Sequence, residues 1–130
     1  MRVLLLEDVK LLQKMVKNFL KDLAVVEITE SGTSALRLFK ESIEKNEPYD
    51  AIFLDVLIPD IDGLQVLKEI RKIESDNNIP AENRSKIVMV SSVTDENTVK
   101  RALTAGCEGY IAKPFSKDRL IAELKNLKLI

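Results

Sequence analysis

The sequence contains no histidine, no tryptophan and only one cysteine among its 130 residues. The absence of histidine excludes serine-histidine triads, imidazole general bases and zinc sites with histidine ligands. The lone cysteine, Cys107, cannot form a disulfide within the chain. Any chemistry must therefore rest on carboxylates, hydroxyls, lysine or a metal ion bound through oxygen.

Long apolar runs and an excess of one charge are also missing. The uncharged stretches are far shorter than the roughly 18 residues that a membrane span requires. Lysine and arginine number 20 against 21 acidic residues, a net charge of -1, so neither direct nucleic-acid binding nor membrane attachment is expected. The N-terminus has an acidic pair where a signal peptide would have its apolar segment, which favours a cytoplasmic location.

The sequence does contain a regular alternation of short apolar runs and longer amphipathic segments. Each run has the length of a strand and lacks a clean apolar-polar alternation, which indicates a parallel sheet buried on both faces. The runs are Val3 to Leu6, Val25 to Ile28, Ala51 to Leu54, Ile87 to Val90 and Tyr110 to Ala112. Five strands alternating with five helices predict an α/β fold, a doubly wound parallel sheet in a three-layer sandwich. The length and the 45% hydrophobic content predict a single soluble domain over residues 1–130.

The amphipathic segments carry the signals of helices. The clearest segment has apolar residues at helical spacing, at Leu12, Met15, Val16, Phe19, Leu20 and Leu23. Side chains that can cap the other four helices are found at Ser31 to Ser34, Asp62, Asp95 and Ser116. The one long polar segment, Ser75 to Ser85, is predicted to form an exposed irregular loop before the fourth strand.

Reactive side chains follow four of the five predicted strands. They are Glu7 and Asp8, Asp55, Ser91, and Lys113. Ligands of parallel α/β sheets bind beyond the carboxyl ends of the strands, so these residues are expected on one rim. Carboxylates suit Mg²⁺, one of them can form an aspartyl phosphate, and a lysine and a hydroxyl can meet the charge on phosphoryl oxygens. The set predicts phosphoryl transfer with Asp55 as the nucleophile, because Asp55 ends a buried apolar run.

These residues and their spacing resemble the receiver domain of response regulators in two-component signalling. The resemblance covers the whole chain. It rests on the acidic pair Glu7-Asp8, Asp55 within D-x-x-x-P-x-x-x-G, Ser91, and the triplet Lys113-Pro114-Phe115. It implies a flavodoxin-like fold with strand order 2-1-3-4-5 and three αβα layers.

The resemblance also implies what Asp55 does. Asp55 would accept a phosphoryl group from the phosphohistidine of a partner, a sensor histidine kinase or a phosphotransfer protein. The implied cofactor is Mg²⁺, bound by Asp8, Asp55 and the backbone carbonyl of Leu57, with Glu7 acting through water. Such a domain is not a conventional enzyme but a phosphoacceptor that assists its own phosphorylation and dephosphorylation.

By the same resemblance, Ser91 and Lys113 bind the phosphoryl oxygens and Tyr110 is the switch aromatic. The Tyr110 ring is expected to turn inward when the Ser91 hydroxyl is drawn to the phosphate. That movement would change the face formed by the fourth helix, fifth strand and fifth helix, which a downstream protein reads. An ordinary strand aromatic is the alternative interpretation of Tyr110. The Lys113-Pro114 peptide bond is expected to be cis.

Two other functions match part of the pattern. A pseudo-receiver would act only as a protein-interaction module, but such domains typically lose an acid or the lysine, and this chain keeps both. A Mg²⁺-dependent phosphohydrolase of the dehalogenase-like type would carry D-x-D after its first strand, where this sequence has E-D-V-K. The sequence leaves open the cognate kinase, the target and the oligomeric state. It also does not distinguish a stand-alone receiver of the chemotaxis type from part of a longer regulator or hybrid kinase.

Overall fold

A computed structural model describes the chain from Met1 to Ile130 as alternating strands and helices. The strands are β1 (Arg2–Leu6), β2 (Val25–Thr29), β3 (Ala51–Leu54), β4 (Lys86–Ser91) and β5 (Gly109–Ala112). The helices are α1 (Lys10–Phe19), α2 (Gly32–Glu44), α3 (Gly63–Asp76), α4 (Glu96–Ala105) and α5 (Lys117–Asn126), with a short 3₁₀ helix at Ala81–Asn83. All strand pairs are parallel and the order is β2-β1-β3-β4-β5. The predicted fold class and strand order are confirmed.

Two apolar clusters cover the two faces of the sheet, because successive strand residues point to opposite sides. Leu4 and Leu6 of β1 belong to one cluster, which also contains side chains of α2, α3 and α4. Val3 and Leu5 belong to the other, together with side chains of α1 and α5. The sheet therefore forms the middle layer, and its strand ends emerge between the helices. None of the helices has the length and apolar character needed to cross a membrane.

The helices α2 to α5 begin at the predicted capping residues. Ser31, Asp62, Asp95 and Ser116 each accept a hydrogen bond from a backbone N–H of the first turn, at 2.7–3.1 Å. Such bonds satisfy N–H groups that have no partner inside the helix. The predicted starts of these four helices are confirmed, whereas α1 has no side-chain cap.

The end of α1 differs from the sequence prediction. The helix ends at Phe19, and Leu23 lies beyond it with 38% of its surface exposed. The backbone N–H groups of Leu23 and Ala24 both donate to the carbonyl of Leu20, at 2.9 Å each. This tight turn closes the helix because the chain must reverse at once to enter β2. Leu20 itself remains fully buried.

The predicted irregular loop also begins later than expected. Helix α3 continues to Asp76, so the first two residues of the segment Ser75 to Ser85 are helical, and Ala81–Asn83 forms a 3₁₀ turn. Polar residues at an exposed helix end have the same composition as a loop, which explains the difference. Most of the segment is exposed, but Ser85 is buried and its hydroxyl donates to the Tyr49 carbonyl at 2.6 Å.

Strand β2 is less buried than predicted. Val25 has 71% of its surface exposed, and most of the strand is only partly covered. The reason is its place at the edge of the sheet, where one side has no neighbouring strand. Burial of both faces holds for the central strands β1, β3 and β4.

Candidate functional site

The carboxyl ends of the strands bring the predicted site residues to one edge of the sheet. Glu7 and Asp8 directly follow β1, and Asp55 directly follows β3. Ser91 is the last residue of β4, and Lys113 directly follows β5. Because the strands run in the same direction, residues more than a hundred positions apart meet at this edge.

Lys113 joins two of the acids. Its Nζ lies 2.7 Å from Oδ2 of Asp55 and 2.5 Å from Oε1 of Glu7. All three side chains are largely buried, with at most 14% exposure for the lysine. Burial opposes the charge of the ammonium, but the hydrogen bonds and charges of Asp55 and Glu7 outweigh burial and raise the pKa of Lys113 above its usual value. The lysine is therefore held as a cation beside Asp55.

Three carboxylates crowd together at the same place. Oxygens of Glu7, Asp8 and Asp55 lie within 4.8 Å of one another, with Asp8 exposed and the other two buried. Like charges at this distance repel, so the arrangement favours a neighbouring cation. An all-oxygen donor set of this kind suits a hard divalent ion such as Mg²⁺, which binds few protein ligands and keeps several waters.

Glu7 and the turn after Asp55 make additional contacts inside the protein. Besides its ion pair, Glu7 accepts a hydrogen bond at Oε2 from the Val9 N–H, at 3.1 Å. The Leu57 N–H donates to Oδ1 of Asp55 at 3.1 Å, so the chain curls back over the carboxylate. The Leu57 side chain is 61% exposed. Glu7 thus serves the lysine and the local turn, and Asp8 is the freer of the two neighbouring acids.

The two predicted switch residues meet through Val93. The Ser91 hydroxyl is fully buried and accepts a hydrogen bond from the Val93 N–H at 3.0 Å. The Tyr110 hydroxyl donates to the Val93 carbonyl. Burial, with the charges of nearby acids, raises the pKa of Tyr110, so its hydroxyl keeps the proton that it donates. The Lys113-Pro114 bond is cis, as the resemblance implied.

Two polar residues beside the site escaped the sequence analysis. Gln13 of α1 contacts the backbone of Glu7, and Asp60 of the β3-α3 loop contacts the start of α2. A signal for Gln13 does exist, because it shares the buried stripe of α1 with Val16, and Leu20 continues that stripe just beyond the helix. Asp60 has no such signal, because its partners lie 27 and 28 positions earlier in the chain.

The chain matches the family described as response regulator receiver domain over residues 3–125. It is 30% identical over 122 residues to the chemotaxis protein CheY of Bacillus subtilis, covering 92% of this chain and 91% of that protein. It is also 30% identical over 131 residues to probable histidine kinase 2 of Oryza sativa, covering 93% of this chain but only 12% of the kinase. The chain is thus similar to an entire small protein and to a small part of a long one.

Solved structures show the same fold. The chemotaxis protein CheY4 of Vibrio cholerae has a TM-score of 0.80 at 25% identity, covering 96% of each chain. A putative response regulator from Chloroflexus aurantiacus has a TM-score of 0.77 at 30% identity, covering 97% of this chain and 95% of the other. The similarity extends over nearly all of the sheet and helices described above.

Proposed function

The chain belongs to the response regulator receiver domain family, and on this premise we propose that Asp55 is its phosphoacceptor. The observation that carries the proposal is the position of Lys113, whose Nζ lies 2.7 Å from Asp55 Oδ2 although 58 positions separate the two residues. Phosphoryl transfer to a carboxylate needs a fixed positive partner for the charge on the incoming oxygens. Lys113 is in place to be that partner.

The donor is the phosphohistidine of a sensor histidine kinase or of a phosphotransfer protein, and the histidine belongs to that partner because this chain has none. A carboxylate oxygen of Asp55 attacks the phosphorus atom and the phosphorus-nitrogen bond breaks. The electron pair of that bond stays on the imidazole, which takes up a proton from water. The product is an aspartyl phosphate, and Lys113 exchanges its hydrogen bond to Asp55 for one to a phosphoryl oxygen.

Mg²⁺ fits the acidic cluster by donor type. The residues that would hold it are Asp8, Asp55 and the Leu57 carbonyl, with Glu7 acting through water. When bound, the ion neutralises charge on the carboxylates and on the phosphoryl group. Lys113 relieves part of the same repulsion, and it lies on the side of Asp55 that faces Glu7.

Phosphorylation would reach the surface through Ser91 and Tyr110. The Ser91 hydroxyl turns to a phosphoryl oxygen and gives up its bond to the Val93 N–H. The β4-α4 loop then shifts, and Tyr110 follows because its hydroxyl is bonded to the Val93 carbonyl. The result is a change in the face of α4, β5 and α5, which a downstream protein reads. With a kinase as donor, a cytoplasmic location follows.

The test is incubation of the protein with Mg²⁺ and a small phosphodonor such as acetyl phosphate, followed by intact-mass measurement. We expect a single phosphoryl adduct that requires the ion and is absent from Asp55→Asn. Asp95→Asn is the matched control, because Asp95 is another carboxylate at this edge, caps α4 and lies outside the acidic cluster. An unmodified parent chain would contradict the proposal and favour a protein-interaction module.

A further inference from the structure

We infer that Gln13 and Asp60 are positioning residues that link the three turns around the acidic cluster, and this inference rests on the proposed function. The β1-α1 turn carries Glu7 and Asp8, and the β3-α3 loop carries Leu57. The β2-α2 turn lies between them in the polar network, although it contributes no proposed ligand. Neither Gln13 nor Asp60 has a proposed contact with the metal ion or the phosphoryl group.

Gln13 links the first turn to the second. Its side-chain Nε2 donates to the Glu7 carbonyl at 2.7 Å and to Oε2 of Glu30 at 3.0 Å. Glu30 follows β2 and is also paired with Lys10 at 2.8 Å. Gln13 is buried, with 8% of its surface exposed, so its bond to the Glu7 carbonyl is shielded from competing water. Gln13 thus joins the start of the β1-α1 turn to the end of β2.

Asp60 links the second turn to the third. Its Oδ1 accepts from the Gly32 N–H at 2.8 Å, and its Oδ2 accepts from the Thr33 N–H at 3.0 Å and the Thr33 hydroxyl at 2.8 Å. Ser31 caps the Ser34 N–H, so these contacts complete the first turn of α2. The hydrogen bonds from Thr33 and Gly32 hold the pKa of Asp60 far below its usual value.

The two links run in series from the Glu7 carbonyl to the loop that contains Leu57. The strands beneath the turns are already joined by β1-β3 pairing, but the turns extend beyond that ladder. Mg²⁺ tolerates little departure from octahedral geometry, so its affinity depends on the spacing between ligands on different turns. Loss of either link would let the turns move relative to each other. Loss of both would add little, because one broken link already frees them.

The experiment measures the Mg²⁺ dissociation constant of the unphosphorylated chain by NMR titration, for Gln13→Met, Asp60→Ala and the double variant. We expect each single variant to bind Mg²⁺ about tenfold more weakly, the lower end of the effect usual for residues that orient metal ligands. We expect the double variant to show about the same loss rather than the product of the two. Amide exchange of Gly32 and Thr33 should quicken in Asp60→Ala.

Two controls separate positioning from charge and from general instability. Gln13→Met changes no charge, and Thr33→Val removes one Asp60 contact while keeping the net charge, so weaker binding in both excludes a purely electrostatic effect. Asp95→Ala removes a carboxylate that bonds the Thr98 N–H and hydroxyl at the start of α4, the same chemistry on a turn outside the linkage. It should lower the thermal midpoint while leaving the Mg²⁺ affinity unchanged.

Unchanged Mg²⁺ affinity in Gln13→Met and Asp60→Ala would overturn the inference while leaving the proposed function intact. If the loss of Mg²⁺ affinity in the double variant equalled the product of the two single losses, the two residues would act independently and the linkage would be overturned. If the parent chain bound no Mg²⁺ and formed no adduct, the proposed function itself would fail. The three results are distinct.

Discussion

The two ends of the sheet both contain buried ion pairs, but they are built differently. At the amino end, Arg71 of α3 lies 2.7 Å from Oε1 of Glu74 and 2.7 Å from Oε1 of Glu108. The same guanidinium donates to the backbone carbonyls of Gly106 and Ser85, at 2.9–3.0 Å. At the carboxyl end, one lysine lies among three acids and pairs with two of them.

The acids at the amino end also have backbone partners. Oε2 of Glu74 accepts from the Ser85 N–H at 3.0 Å, and Oε2 of Glu108 accepts from the Ile87 N–H at 2.6 Å. Each charge there is matched by a directed donor or acceptor, which makes the network a structural connection between α3, β4 and β5. Both ends have more acids than cations, but the carboxyl end adds a third carboxylate, Asp8, which forms neither ion pair of Lys113. The comparison teaches that this additional unpaired carboxylate, rather than burial, separates the proposed phosphoacceptor cluster from the structural network.

Arg71→Met breaks the structural network and gives the largest expected effect. It leaves the almost fully buried Glu74 without its cation, so the free energy of unfolding should fall by about 3–5 kcal/mol. Denaturant unfolding measures the loss. Arg37→Met is the matched control, because the Arg37–Glu41 pair is exposed and contributes less than about 1 kcal/mol. A similar small loss for both variants would contradict the structural role of the amino end.

Lys113→Met tests the reactive end. The variant removes the cation beside Asp55, and the rate of phosphorylation by a small donor should fall about 10²- to 10³-fold, as for removal of a transition-state donor elsewhere. Stopped time courses followed by intact mass provide the rate. Arg71→Met, assayed where it remains folded, should keep a rate close to that of the parent. A comparable fall in both variants would show that the two ends do not differ in function.

Neutralising one acid at each end should have opposite effects on stability. Glu74→Gln removes an acceptor and a charge from a satisfied network, which should destabilise the fold by about 1–3 kcal/mol. Asp8→Asn removes one of three crowded carboxylates that forms neither ion pair of the site, so it should stabilise the fold by up to about 1 kcal/mol. Thermal unfolding without Mg²⁺ compares the two variants. Destabilisation by Asp8→Asn would contradict the repulsion among the three carboxylates.

Cys107, which lies just before β5 at the amino end, has an effect that is confined to alkaline pH. Burial, aided by the charge of Glu108, raises the pKa of its thiol to about 11. The unfolded chain releases this proton near pH 9, and the folded chain only near pH 11, so the free energy of unfolding should fall as pH rises between them. Cys107→Ala should lose less stability than the parent over this range. Denaturant titrations at each pH measure the free energy of unfolding. An equal fall with pH in the parent and in Cys107→Ala would refute the raised pKa of this thiol.

Much of the fold could be predicted because the apolar runs and caps are local signals. Ser31 and Asp62 cap the helices that follow them, and Asp55 ends a fully buried strand. The prediction was wrong where chain direction or an edge decided the outcome. Leu23 lies outside α1 because the chain turns into β2, and Val25 is exposed because its strand has one neighbour.

By itself, the sequence determined the residue types at the strand ends and therefore the class of chemistry that the rim can support. The alternation of apolar strand runs with amphipathic helices was enough to locate these residues, because the carboxyl ends of parallel strands lie at one edge of the sheet. The tertiary structure decided which atoms meet: Lys113 with Glu7 as well as Asp55, Ser91 with Tyr110 through Val93, and Asp60 with the start of α2. These contacts require that the atoms be placed to within a few tenths of an ångström. Only the packing of the helices against the sheet provides that precision.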